Sequence, residues 1–370
     1  MQPRSKIRVL IVDDSVVIRK ILSDTLSADL SLEVVSSAQN GKLALAKIPQ
    51  CQPDVITLDV EMPVMNGIEA LAEIRKVYPK LPVIMFSTLT EAGASATLDA
   101  LALGASDYAT KPSNTGSPAA AVDAIRSDLI PKIKALCPFA SSKILRGSAI
   151  RVLPRPRPRP GRVEIVAIGT STGGPNALAE VFPAIPKNFP VPIVTVQHMP
   201  PIFTRLLADR LASHSQIAVE EGCNGGNLVA GKAWIAPGNY HMIVKRSTLC
   251  PHIELNQDPH EHSCRPAVDV LFRSVAEAYG PGALAVVMTG MGSDGVLGSQ
   301  RIREAGGEVI IQDESSSVVW GMPGLTYSAG HVDGVYPLSM LAAEITRRAL
   351  QNRASHAATR QRTFAAPETN

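Results

Sequence analysis

The sequence predicts an α/β protein with two domains, each built on a mainly parallel β-sheet. Short apolar runs rich in β-branched residues alternate with segments that have apolar residues at helical spacing, which is the pattern of a parallel sheet covered by helices. The 370-residue chain is long enough for two hydrophobic cores. Near its middle a run of alternating Pro and Arg interrupts the pattern and predicts a spacer between domains.

In the predicted first domain, residues 1–138, five strands alternate with four helices. The strands are predicted at residues 7–12, 32–36, 55–58, 82–86 and 106–109, and the helices at 16–26, 42–48, 68–78 and 92–103. Parallel sheets of this kind bind ligands at the carboxyl ends of their strands. The residues that follow the strands are therefore the candidates for function.

Charged side chains follow three of these strands. Asp13 and Asp14 come after the first, Asp59 after the third and Lys111 after the fifth. Clustered carboxylates repel one another unless a hard cation such as Mg²⁺ neutralises them. A cation and an ammonium group around one carboxylate suit the acceptance of a phosphoryl group. Any one of these residues alone could be an ordinary N-cap or a solvated charge.

The run from Thr57 to Gly67, together with the strand-end residues, resembles the receiver domain of response regulators. The resemblance implies a flavodoxin-like fold in which Asp59 accepts the phosphoryl group, Lys111 senses it and Ser87 is the switch hydroxyl. Ser87 is preferred because it follows the strand first, and Thr88 is the adjacent alternative. The Mg²⁺ site implied for receiver phosphorylation comprises Asp13, Asp14, Asp59 and Glu61.

Residues 139–161 are predicted to link the domains. Alternating proline removes backbone donors and favours polyproline II, which makes a semi-rigid spacer. The arginines in this linker could contact acidic lipid or nucleic acid, but so short a basic run without flanking aromatics favours a solvated spacer.

The predicted second domain, residues 162–352, is also α/β, and a disordered tail is predicted at 353–370. A hairpin-like insertion is expected around residues 234–245. Strands are predicted at 163–168, 192–196, 233–235, 242–245, 283–288 and 309–311, and helices at 176–181, 203–213, 268–279 and 295–304.

A glycine-rich turn around Ser171 follows the first strand of this domain and precedes a helix. The turn reads Gly-Thr-Ser-Thr-Gly-Gly from Gly169 to Gly174. Such a turn lifts a serine clear of its neighbours and supplies helix N–H groups to an oxyanion. Neither a G-x-G-x-x-G dinucleotide fingerprint nor a Walker phosphate loop fits, although a merely structural strand-to-helix turn remains an alternative.

His198 and Asp294 follow two other strands of the same domain. A serine hydroxyl needs a base, and an imidazole needs a carboxylate that orients it, so Ser171, His198 and Asp294 can form a catalytic triad. Taken singly, His198 could be a structural donor and Asp294 an N-cap. The backbone N–H groups of Met291 and Thr172 are the candidates for oxyanion stabilisation.

The cluster of His260, Glu261, His262 and Cys264 has the residue types of a zinc site. Its spacing matches no zinc motif, and Pro259 marks a loop, so a solvated surface segment is expected.

Five motifs of the second domain together resemble the CheB family of chemotaxis protein-glutamate methylesterases. They are Gly169–Pro175, Gln197–Met199, Ile235–Gly238, Arg265–Asp269 and Thr289–Gly295. The resemblance implies a serine hydrolase with a doubly wound α/β fold that demethylates γ-glutamyl methyl esters on chemoreceptors, releasing methanol, and deamidates certain glutamines. It implies a chemotaxis histidine kinase as phosphodonor and no cofactor for the esterase reaction. The alternative is a catalytically silent regulatory module that retains the esterase fold.

Composition agrees with a cytoplasmic protein. Hydrophobic residues make up 45% and charged residues 19% of the chain, and the net charge is +3, which favours neither disorder nor nucleic-acid binding. The five cysteines are odd in number and contain no C-x-x-C pair, which is typical of reduced thiols. Neither a secretory leader nor a membrane-spanning run is expected, so no membrane insertion is predicted.

Overall fold

A computed structural model describes residues 6–111, 118–137, 162–246 and 250–363. The chain forms two compact units, Met1–Ser148 and Ala149–Asn370, and each is described by itself. The predicted linker at 139–161 lies outside the described residues. The domain bounds proposed from the sequence remain predictions.

The first unit contains a five-stranded parallel sheet with the strand order β2-β1-β3-β4-β5. The strands are β1 (Ile7–Val12), β2 (Leu32–Ala38), β3 (Val55–Asp59), β4 (Val83–Ser87) and β5 (Asp107–Thr110). The helices are α1 (Val16–Ser27), α2 (Gly41–Cys51), α3 (Gly67–Val77), α4 (Glu91–Ala102), α5 (Pro118–Ala124) and α6 (Ile130–Leu136), with a π-helical turn at Ile125–Leu129 between the last two.

The central strands of this sheet are buried on both faces, as expected for a parallel sheet covered by helices. Every residue of β3 and β4 is buried. The predicted fold class of this domain is confirmed. Because all five strands run in the same direction, the residues that end or follow β1, β3, β4 and β5 lie at one edge of the sheet.

The second unit contains a seven-stranded sheet, in the order β14-β13-β12-β6-β7-β9-β8, whose recorded pairings are all parallel. Its strands are β6 (Ile165–Thr170), β7 (Ile193–Gln197), β8 (Ala218–Glu221), β9 (Lys232–Ile235), β12 (Ala283–Val287), β13 (Glu308–Gln312) and β14 (Gly334–Tyr336). Strands β10 (His241–Arg246) and β11 (Pro251–Asn256) form a separate antiparallel hairpin. The helices are α7 (Gly174–Val181), α8 (Pro201–His214), α9 (Val268–Tyr279), α10 (Val296–Glu304), α11 (Met322–Ser328) and α12 (Leu338–Thr363).

The strand order of this sheet reverses at β6, which lies between β7 and β12. Ligands of open α/β sheets bind at such a switch point, outside the carboxyl ends of the strands. The three loops that follow β6, β7 and β12 carry Ser171, His198 and Asp294. The predicted doubly wound, mainly parallel fold is confirmed.

Several elements differ from the sequence prediction. The hairpin was expected around residues 234–245, but Trp234 lies in β9 of the main sheet, and β10 pairs instead with β11. Strand β11 was missed although its polar and apolar residues alternate, because it begins at a proline, which argues against a strand. The expected disordered tail from residue 353 is helical to Thr363, since its Ala, Arg and Gln residues favour helix and no Gly or Pro interrupts them.

Candidate functional site

Ser171 occupies the turn between β6 and α7. Its backbone N–H donates to the carbonyl of Thr289 at 3.0 Å, and its carbonyl accepts from the N–H of Gly174 at 2.8 Å. Gly173 has a φ of 78°, in the left-handed region that favours glycine, which allows the chain to turn sharply into α7. The turn leaves Ser171 half-buried beside the N-terminus of this helix.

His198 follows β7 and contacts the buried carboxylate of Asp294. The His198 Nε2 atom lies 2.8 Å from Asp294 Oδ2. Asp294 also accepts hydrogen bonds from the backbone N–H groups of Val268, at 2.7 Å to Oδ2, and Asp269, at 2.8 Å to Oδ1. Asp294 engages Nε2 of the ring, and the side chain of Cys264 also forms a hydrogen bond with the imidazole.

The pairing stabilises the ionic forms of both partners. Burial alone would lower the pKa of His198, but the hydrogen bonds that its ring forms with Asp294 and Cys264 outweigh burial, so the pKa is raised. Burial would raise the pKa of Asp294, but its hydrogen bonds from His198 and from two backbone N–H groups hold that pKa below its usual value. Asp294 can therefore stabilise an imidazolium that forms when His198 takes a proton.

The side-chain amide of Gln197 joins the loops of the nucleophile and the base. Gln197 Nε2 donates to the carbonyl of Ser171 at 3.0 Å and to the carbonyl of His198 at 3.1 Å. The side chain is 2% exposed, so these carbonyls are paired in a low-dielectric setting. Gln197 thereby fixes the separation of the two loops.

The loop after β12 passes close to Ser171. A Cβ atom placed on Gly290 would lie 2.9 Å from Ser171 Cβ, so glycine is needed for this approach. The carbonyl of Gly290 accepts from the N–H groups of Gly321 and Met322, at 3.1 and 2.8 Å, which anchors the loop to the start of α11. This places Met291, the next residue, beside the nucleophile turn, while Thr172 is buried within that turn.

In the first unit, the carboxylates of Asp13, Asp14 and Asp59 have ligand atoms within 4.8 Å of one another. Lys111 Nζ lies 2.8 Å from Asp13 Oδ2 and 2.7 Å from Asp59 Oδ2. Burial raises the pKa of Asp59 to about 6, with Lys111 opposing and Asp13 adding to the rise. Burial acts to lower the pKa of Lys111, but the hydrogen bonds that its ammonium donates to Asp13 and Asp59 raise it.

This cluster fits Mg²⁺. Its three carboxylates offer hard oxygen ligands within 4.8 Å of one another, and Lys111 supplies only one positive charge against them. The Glu61 carboxylate is not among the clustered groups; Glu61 reaches the site through its backbone N–H, which donates to Asp59 Oδ1 at 3.3 Å.

Ser87 ends β4 at the same edge of the sheet. Its hydroxyl is buried and donates to the carbonyl of Gly93 at 3.1 Å, and its carbonyl accepts from the N–H of Lys111 at 2.6 Å. Thr88 is half-buried, and its hydroxyl lies 3.2 Å from that of Thr90. The link to Lys111 favours Ser87 over Thr88 for the switch position.

Sequence reasoning missed three residues around the catalytic pair. It quoted Gln197 only as part of a motif and assigned no role to Asp269, and it treated His262 as part of a solvated surface loop. His262 Nε2 instead lies 2.8 Å from Oδ2 of the fully buried Asp269. Gln197 could have been noticed because it is a polar residue directly beside His198. Asp269 could have been noticed because it is an acid on an otherwise apolar helix face.

Two family profiles match the chain. Residues 166–345 match the CheB methylesterase family, and residues 9–123 match the response regulator receiver domain. A protein-glutamate methylesterase/protein-glutamine glutaminase of Trichodesmium erythraeum is 52% identical over 93% of this chain and 99% of its own length. The chain belongs to the CheB methylesterase family.

Three further proteins are similar to this chain. A protein-glutamate methylesterase/protein-glutamine glutaminase of Pyrococcus abyssi is 44% identical over 92% of this chain and 93% of its own length. The CheB methylesterase catalytic domain of Thermotoga maritima is 40% identical, covers 50% of this chain and 98% of its own, and gives a TM-score of 0.49. The response regulator domain of Thermotoga maritima CheB is 44% identical, covers 35% of this chain and 94% of its own, and gives a TM-score of 0.32.

Within the described part of this CheB-family chain, every helix is too short or too polar to span a bilayer.

Proposed function

We propose that this chain is a phosphorylation-regulated serine hydrolase that demethylates γ-glutamyl methyl esters, releasing methanol, and deamidates specific glutamines of chemoreceptors. The observation that carries the proposal is the 2.8 Å contact between His198 and Asp294, in loops that lie against the Ser171 turn. Membership of the CheB family, whose relatives bear the methylesterase and glutaminase names, supports the substrate class.

In the proposed reaction, Ser171 Oγ attacks the γ-carbonyl carbon while His198 takes the serine proton. Asp294 stabilises the resulting imidazolium, and the backbone N–H groups of Met291 and Thr172 stabilise the oxyanion. The imidazolium then gives its proton to the leaving methanol or ammonia. Water, activated by the same imidazole, attacks the acyl-enzyme and releases the glutamate carboxylate and a free Ser171.

These groups supply the nucleophile, base, acid and oxyanion donors of the reaction. The esterase half is therefore proposed to need no cofactor. Gln197 acts by position, since it holds the carbonyls of the nucleophile and the base at a fixed separation.

For the receiver half, we propose that Asp59 is the phosphorylated residue. Asp13, Asp14 and Asp59 would hold Mg²⁺, which neutralises the oxygens of the incoming phosphoryl group when it is bound. The ammonium of Lys111, already in contact with Asp59, would pair with the transferred group, and the Ser87 hydroxyl would leave the Gly93 carbonyl to reach it. This movement is a local change that a receiver can pass on as a regulatory signal.

The partners proposed from this function are the cytoplasmic helices of methyl-accepting chemoreceptors and a chemotaxis histidine kinase, and the proposed location is the cytoplasm. A catalytically silent regulatory module is not favoured. The relatives that match nearly the full chain and bear the methylesterase/glutaminase name favour the enzyme.

The test combines active-site labelling with methanol release. A fluorophosphonate should label the wild type at Ser171, and Ser171→Ala should lose both the label and methanol release from methylated receptor membranes. Ser213→Ala changes an exposed serine of α8 and serves as the matched control, which should behave as the wild type. A wild type that is neither labelled nor active on receptors, with or without a phosphodonor, would instead support the silent module.

A further inference from the structure

A second histidine–carboxylate pair lies directly against the triad acid. The loop between β11 and α9 brings His262 Nε2 to 2.8 Å from Asp269 Oδ2. Asp269 is fully buried, whereas the His262 side chain is 30% exposed. The other ring nitrogen of His262 lies 3.4 Å from the hydroxyl of Ser293, the residue before Asp294. The mechanism proposed above uses neither member of this pair.

Asp269 and Asp294 cap each other's helices. The Asp294 carboxylate accepts the N–H groups of Val268 and Asp269, at the start of α9. In return, Asp269 Oδ1 accepts the N–H groups of Gly295 and Gly298, at the start of α10, at 3.0 and 2.6 Å. Each carboxylate thereby fixes the backbone that carries the other. The position of Asp294 relative to His198 depends on Asp269 through this exchange.

The two carboxylates are also coupled by charge. Burial raises the pKa of Asp269, and the nearby negative charge of Asp294 adds to the rise, while hydrogen bonds from Gly298 and His262 oppose it. His262 supplies a donor to Asp269 Oδ2, the oxygen that does not accept from α10. Removing this donor would leave an unpaired oxygen on a buried carboxylate, which is costly and is relieved by rotation or protonation.

The local backbone indicates that the loop is held in place. His262 and Ser263 have φ values of 51° and 61°, in the left-handed region that non-glycine residues seldom adopt. Glu261, the preceding residue, forms an ion pair with Arg273 on α9. Contacts with α9 on either side thus keep the imidazole of His262 over Asp269, against the backbone preference of the loop.

A cation site is the obvious alternative, because His262, Asp269 and Asp294 offer ligand atoms within 4.8 Å of one another. Each carboxylate, however, already accepts two backbone N–H groups and contacts a histidine nitrogen. A bound cation would face these N–H hydrogens. The contacts therefore favour a hydrogen-bonded network over a metal centre.

We propose that His262 is a positioning residue of the esterase, which acts through Asp269 and the reciprocal caps to hold Asp294 in its catalytic contact with His198. The inference rests on the proposed esterase function. It adds a residue that touches neither the substrate nor the reacting atoms and whose contribution should appear in kcat more than in KM.

The experiment measures methanol release by full-length His262→Phe, His262→Gln and His260→Phe. Phenylalanine keeps a planar ring but removes the donor, so kcat should fall about tenfold with KM changed by less than about twofold. Glutamine can place its Nε2 donor near that of histidine and should restore kcat to within about threefold of wild type. His260 is exposed in the same loop and is the matched control, which should match the wild type.

Fluorophosphonate labelling counts the active sites in each preparation, so that kcat refers to folded enzyme. The inference is overturned if His262→Phe keeps wild-type kcat per labelled site. It is equally overturned if His262→Gln is as impaired as His262→Phe, or if His260→Phe loses as much. If the wild type releases no methanol, the proposed esterase function is wrong. Failure of the positioning role is a different result, in which the wild type is active and the variants do not differ as expected.

Discussion

Replacing Asp294 by asparagine removes a charge while keeping the size of the side chain. Oδ2 of Asp294 accepts two N–H groups, those of His198 and Val268, whereas Oδ1 accepts that of Asp269. The amide oxygen of Asp294→Asn should therefore take the Oδ2 position. The amide nitrogen then faces the N–H of Asp269, which becomes an unpaired buried donor.

Two magnitudes follow from this geometry. At 2.8 Å and an effective dielectric constant of about 20, the carboxylate stabilises the imidazolium of His198 by at most about 6 kcal/mol. Since about 1.4 kcal/mol changes a rate tenfold, loss of this stabilisation should lower kcat/KM by about 10³- to 10⁴-fold. The unpaired N–H of Asp269 should lower the free energy of unfolding by about 1–3 kcal/mol.

The assay is methanol release from methylated receptor membranes, with thermal unfolding measured on the same preparations. Asp209→Asn, an exposed carboxylate of α8, is the matched control and should leave both quantities unchanged. A loss of less than about tenfold in kcat/KM for Asp294→Asn would refute the assignment of Asp294 as the acid that orients His198.

Four further predictions concern single steps of the mechanism. Ser171→Ala should reduce methanol release by about 10⁴-fold or more with an unchanged unfolding midpoint, and release above about a hundredth of the wild-type rate contradicts its role. Because Asp294 raises the pKa of His198 and the base must be neutral, kcat/KM should keep rising with pH above the ordinary histidine pKa of 6.5. A pH–rate profile that is already flat at this pH would argue against His198 as a base with a raised pKa. Gln197→Met should lower kcat by about tenfold to a hundredfold, because it removes the donor that joins the carbonyls of Ser171 and His198; wild-type kcat is the contrary result. Asp59→Asn should take up no radiolabel from acetyl phosphate and Mg²⁺ and should lose activation while keeping basal esterase activity; label retained on the variant would indicate another acceptor.

The fold class was predictable because it depends on local pattern, and the same pattern predicts that the candidate site residues lie at one edge of the sheet. Alternating strand and helix periodicity indicates a parallel sheet, and a parallel sheet gathers Ser171, His198 and Asp294 at one edge wherever the strands stand in sequence. Strand β11 has alternating polar and apolar residues, but its first residue is a proline, which is typical of a turn or a strand edge. Strand β14 has three residues, too few for any periodicity.

The supporting contacts of the site were not predictable in the same way. The pairing of His262 with Asp269 depends on the path of a loop with two left-handed residues, and neither is glycine. The double donation of Gln197 depends on two carbonyls that face one another only after β6 and β7 pair. Such contacts join positions that sequence spacing does not relate, so residue types alone leave them open.

The reciprocal caps have a consequence for how sequences related to this one are interpreted. In the proposed mechanism Asp294 orients His198, and its carboxylate also accepts the N–H groups at the start of α9, so a relative that lost esterase activity would still need Asp294 for stability. The presence of Asp294 in a relative therefore indicates a folded domain and does not by itself indicate esterase activity. The side chain of Ser171 has no comparable structural role. Replacement of Ser171 in a relative would therefore indicate loss of esterase activity.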